Sequence, residues 1–166
     1  MSLVEQLPAL IGAAVGGLGS YVAIAASERG RFRREQSVRW DERRMEVYVA
    51  YGRSVQATLT LLWRVGAHRG VDPHPHPLVP ADAATPLAAA YSERDLAWES
   101  LLLTGRDDVI EAARAWHPVV SRLARYANQP APDPVKWQAA VEETRTVRQK
   151  YYAAARADLA VPAKVR

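Results

Sequence analysis

Few side chains in this chain could do chemistry, and their spacing limits what that chemistry could be. His68, Asp72, His74 and His76 are its clustered potential metal ligands, carried in AHRGVDPHPHP. Histidines two apart in an extended, proline-flanked chain project to different sides. The helical HxxxH or HExxH spacing that sets two imidazoles on one face is absent. A metal site also needs an outer layer of hydrogen-bonding groups, which such a loop does not supply. His117, between Trp116 and Pro118, has no acid–base partner in view and reads as a half-buried packing residue. Glu142 and Glu143 are adjacent, roughly 100° apart on a helix, and read as solvated surface. The chain has no cysteine, which excludes disulfides, thiolate zinc sites and cysteine nucleophiles. No G-x-S-x-G elbow is present, and Gly17-Leu18-Gly19 lacks the following Lys-Ser/Thr of a phosphate loop. The expectation is a protein without catalytic residues, metal or cofactor.

The remaining chemistry is electrostatic. Seven arginines lie between Arg29 and Arg44, in ERGRFRREQSVRWDERR. Residues 1–28 carry two acids and no basic side chain, and residues 29–64 carry nine basic and four acidic ones. Residues 65–166 carry thirteen against twelve, so the net charge of +4 comes from one segment. Arg29, Arg31, Arg33 and Arg34 could grip anionic lipid headgroups, each contributing about 1 kcal/mol near the surface. Nucleic acid is the competing partner, with Trp40, Tyr48 and Tyr51 interleaved among the arginines. Glu35, Asp41, Glu42 and Glu46 would repel phosphate, however, and no helix-turn-helix, zinc or RRM signature is present. Nucleic acid is not the expected partner.

What positions this block is the stretch before it. Leu7 to Ala26, LPALIGAAVGGLGSYVAIAA, contains no charged side chain and is about as long as a helix that crosses the hydrocarbon core. An uncharged run followed by arginine predicts a single inner-membrane span with its basic side in the cytoplasm and its N-terminus outside. Gly12, Gly16 and Ser20 fall four apart, a small-residue ridge through which two spans could pack as a homodimer. Two other readings compete. A cleaved signal peptide would use Ala23-Ile24-Ala25 and export a helical domain, but it lacks a basic n-region. A helix buried in a soluble bundle would suit a nucleic-acid-binding or stress-response protein.

The rest of the chain reads as all-α. Residues 27–65 form a long basic juxtamembrane helix whose stripe is Val38, Met45, Tyr48, Val55, Leu59 and Leu62, with Gly52 on the same face. That stripe packs on the domain's own helices or forms a coiled-coil seam. Residues 66–84, rich in proline and histidine, form a loop and the expected site of disorder. Residues 85–160 supply three further helices. Thr85-Pro86 opens the first, with Leu87, Tyr91, Trp98, Leu101 and Leu102 inward and Gly105 as its stop. Asp107 or Asp108 caps the next, whose inner face is Val109, Ala112, Ala113, Trp116, Val120 and Leu123, with Pro118 kinking it. Asp133-Pro134 opens the last, with Trp137, Val141, Thr144, Tyr151 and Ala155 inward, and it ends near Leu159. Residues 161–166 are a tail. The expected architecture is one span (1–26) followed by a four-helix cytoplasmic bundle with a long first helix.

The order of these features, RRE…RWDERRMEVYVAYGR, then LLLTGRDDVIEAAR, then YYAAARADLAV after a small-residue span, resembles single-pass membrane-anchored helical proteins of high-GC bacteria. That resemblance implies an anchored helical domain with no activity attached. The function expected from the residues is a non-enzymatic interaction or scaffold module at the cytoplasmic face, binding itself or a protein partner.

Overall fold

The computed structural model describes residues 39–160, which hold four helices and no strand. Helix α1 covers residues 39–68, α2 Pro80–Thr104, α3 Asp107–Ala127 and α4 Pro134–Asp158. From Arg43 onward the chain forms one compact unit. The expected span and packing ridge (Gly12, Gly16, Ser20), and the arginines expected to contact headgroups (Arg29, Arg31, Arg33, Arg34), lie outside the described residues. Among the described residues no helix is long and apolar enough to cross a membrane.

The inner faces follow the 3.6-residue repeat. Tyr48, Tyr51, Val55, Leu59, Leu62 and Val65 of α1 are buried against Val109, Ala113, Trp116, Val120 and Leu123 of α3 and Trp137, Val141, Tyr151 and Ala155 of α4. Met45, expected on the α1 stripe, is 49% exposed; Val47 turns inward instead, beside the expected Tyr48. At the centre, the Trp116 ring lies 6.3 Å from Tyr51 and 5.5 Å from Tyr151. The Tyr51 hydroxyl donates to the Ala113 carbonyl (3.2 Å) and the Tyr151 hydroxyl to the Tyr48 carbonyl (2.8 Å). The two tyrosines thus bury their hydroxyls with partners, whereas the buried Trp116 indole N–H has none among the described residues.

Hydrogen bonds at the two ends set the up-down-up-down order. At one end, the Tyr48 hydroxyl donates to Asp158 Oδ2 (2.7 Å) and accepts from the Arg106 backbone N–H (3.2 Å), joining α1, the start of α3 and the end of α4. At the other, the Trp137 indole donates to Asp72 Oδ2 (3.0 Å), Arg69 to the Pro130 carbonyl (3.4 Å) and Leu78 N–H to the Arg64 carbonyl (2.9 Å).

Three local expectations need correction. The Pro/His segment is shorter than 66–84 and is fastened rather than disordered. Helix α1 continues through Gly66 to residue 68, where Gly70 at φ 74° turns the chain. Asp72 then holds both Trp137 and the His74 N–H (2.9 Å), while Arg64 holds the His76 carbonyl (3.0 Å). Helix α2 begins at Pro80, not at Thr85-Pro86, so Pro86 lies inside it. Pro80 needs no N–H at the first position, and Ala83 buries itself against the core, which favours the extra turn. Finally, Asp107 and Asp108 occupy the first turn of α3 while Arg106 is the N-cap residue. There the acids face the positive end of the helix dipole without capping it by hydrogen bond.

Two boundaries fall where the residues place them. Asp133 caps α4 by accepting from the Val135 and Lys136 N–H groups, with Pro134 at the first helical position. Gly105 ends α2; a Cβ there would stand 2.7 Å from the Leu101 carbonyl oxygen, so close backbone approach rather than a left-handed φ requires glycine.

Candidate functional site

Helix α2 is the least clearly patterned of the four. Its inward register runs Ala83, Leu87, Ala90, Arg94, Trp98, Leu101, a 4-3-4-4-3 spacing in which one position is an arginine. Arg94 is only 9% exposed. Leu102, expected inward, is largely outside, and Leu96 and Leu103 are exposed at 71% and 84%. Apolar periodicity alone skips position 94, so the buried cation escapes a sequence reading; the gap in the stripe was its only signal.

Beside Arg94, α2 and α3 part over the Tyr51 ring to leave a cavity of about 410 Å³, lined by Tyr51, Arg94, Asp95, Trp98, Arg114, His117 and Pro118. Tyr51 and Trp98, with ring centroids 5.9 Å apart, supply an aromatic wall. The guanidinium of Arg94 gives Nε and Nη2 to Asp95 Oδ1 (3.3 and 2.9 Å) and stands 5.1 Å from the Tyr91 ring centroid. Its Nη1 has no hydrogen-bond acceptor among the described residues. Burial pushes the Tyr51 phenol up to about 12, against the opposing pull of Arg94, and raises Tyr91 in the same way. Both hydroxyls are therefore neutral at ordinary pH and act as hydrogen-bonding groups. Arg114 pairs with Glu111 at the rim. His117, expected to be half-buried packing, is exposed at this opening. The lining combines two guanidinium groups, a carboxylate, an imidazole and aromatic surface.

Of the other residues singled out earlier, His68 is exposed on the last turn of α1 and several of the rest make structural bonds. Asp72 and His74 hold the loop through the bonds given above, and the His76 N–H donates to His74 Nδ1 (3.2 Å). Among the described residues no group of three His, Asp or Glu is placed to hold a metal ion. Glu142 pairs with Arg145 on its own helix, whereas Glu143 reaches across to Arg122 on α3. Sequence reasoning missed Asp158, whose side chain is 3% exposed and takes Arg44 Nη1 and Arg106 Nε, both at 3.2 Å, as well as the Tyr48 hydroxyl. With three partners it joins α1, the start of α3 and the end of α4. Comparison of the chain with known families, with characterised proteins and with solved structures finds no match.

Proposed function

We propose that this protein is a non-enzymatic, membrane-tethered helical module. In this reading the bundle stands at the cytoplasmic face of the inner membrane and binds a protein partner or a second copy of itself. One observation carries it: a stretch of about 20 residues without charge is followed directly by seven arginines. Arg29, Arg31, Arg33 and Arg34 would contact anionic headgroups, and the Gly12, Gly16, Ser20 ridge would pair two spans. The compact, aromatic-cored bundle that follows supports the reading by supplying a folded body for the tether to hold. The exposed Leu96 and Leu103, seven residues apart on α2, supply apolar surface for a partner.

The test is membrane fractionation with a C-terminal topology reporter and the intact N-terminal mass. The full-length chain should stay with the membrane through carbonate and high salt, with its reporter cytoplasmic and its N-terminus uncut. Release by carbonate overturns the tether; a mature N-terminus near Ser27 converts it into an exported domain.

A further inference from the structure

We infer that the cavity between α2 and α3 is a binding site for a small organic monoanion, a carboxylate on an apolar or aromatic body, whose head is taken by Arg94. This stands apart from the membrane tether and rests on the bundle alone.

The argument starts from Arg94. Taking a guanidinium out of water is unfavourable unless its donors and charge are matched. Asp95 occupies Nε and Nη2 through one oxygen, and its own side chain is 69% exposed, so the match is partial. Nη1 remains, on a planar fork shaped for a carboxylate. Nη1, without a partner among the described residues, stays open to the cavity and so is free to take a ligand oxygen.

The surroundings define the rest of the ligand. Tyr51, Trp98 and Pro118 give the cavity apolar walls, and an aromatic or aliphatic body loses water on entering. At about 410 Å³ it falls at the small end of the range for ligand pockets, which suits a molecule of one or two rings rather than a helix or peptide. Charge selects the head. Arg114 already pairs with Glu111, and Arg94 meets Asp95 through one oxygen only, so a single guanidinium edge is open to an anion. That balance fits a single negative charge better than two, because a second would stand unpaired beside Asp95. Arg114 and His117 line the opening, where their N–H groups can reach an entering anion.

The experiment is calorimetric titration of the full-length chain, in phosphatidylcholine nanodiscs with empty nanodiscs subtracted, or in plain buffer where the chain stays in solution without them. Three probes share one ring system: naphthoate, neutral naphthylmethanol and dianionic naphthyl phosphate. Naphthoate should bind with Kd below about 1 mM and at least roughly tenfold more tightly than the alcohol, the effect of one charge-assisted hydrogen-bonded pair. Arg94→Met, which keeps the apolar stem, should remove that preference. If Arg94→Met does not fold, the exposed pair Arg114→Gln with His117→Gln serves instead and should weaken naphthoate several-fold while leaving the alcohol unchanged. Equal binding of acid and alcohol, tighter binding of the phosphate, no binding of naphthoate, or full naphthoate affinity in the variants would each overturn the assignment.

Discussion

Gly52 and Gly66 lie on the same helix and both face an aromatic ring from α4, yet a methyl group has different consequences at each. At Gly66 a Cβ would stand 2.2 Å from Trp137 Cζ2, on an indole that is fully buried and held by Asp72. At Gly52 the nearest atom is the Tyr152 hydroxyl oxygen, 2.4 Å away at the free end of a half-buried side chain. Alanine improves an exposed helix by up to about 1 kcal/mol over glycine, and overpacking a fixed core costs about 1–3 kcal/mol. Gly66→Ala should therefore lower stability by about 1–3 kcal/mol, while Gly52→Ala should stay within about 1 kcal/mol of the parent because Tyr152 can swing aside. Urea unfolding of the two variants side by side measures the contrast. The sequence places both glycines on a helix, and only the structure shows which ring is anchored.

The elements differ in how strongly their own residues specify them. Helices α3 and α4 carry continuous inward stripes, and their inner faces match the sequence expectation almost residue for residue. Helix α2 buries few side chains, among them an arginine, and exposes Leu96 and Leu103, so local patterning holds it least. The start of α4 depends on one side chain: Asp133 satisfies two of the first N–H groups, and Pro134 lacks one. Asp133→Ala should destabilise the bundle by about 1 kcal/mol and increase hydrogen exchange in the first turn of α4, with Asp133→Ser recovering most of the loss. Equal exchange in all three chains would remove the cap from the list of contributors. This motif was legible because capping chemistry is local, whereas the start of α2 was not, because Ala83 is drawn in by packing from distant residues.

For the whole molecule, the Asp158 junction sets a pH limit. Burial first, and then the hydrogen bond it donates to Asp158, push the Tyr48 phenol from 10.0 up to about 12. Burial pushes Tyr51 to about 12 as well and Tyr151 further still. The folded chain holds these protons more tightly than the unfolded one. Their contribution is therefore complete below pH 10 and is lost as pH rises from 10 through about 12. The unfolding free energy from urea titrations should hold steady up to pH 10 and then fall, by on the order of 1 kcal/mol per pH unit for Tyr51 and by less for Tyr48, whose hydroxyl sits in a part-buried junction. Tyr48→Phe should make that fall shallower without abolishing it. A midpoint that does not move above pH 10 would mean that these phenols are not held as the structure places them.

Several things followed from the residue order alone: an all-α chain, the turns at Gly105 and Asp133-Pro134, the inward faces of α3 and α4, and the arginine-rich segment after the uncharged stretch. Each depends on neighbours within a helical turn or two, so the pattern is written locally. The burial of Arg94, the cavity beside it, the junction at Asp158 and the fastening of the histidine loop by Asp72 through Trp137 were decided only in three dimensions. Each joins groups from well-separated parts of the chain, or depends on what a second helix leaves uncovered. Helical periodicity says which way a side chain turns, and says nothing of the atom it meets there.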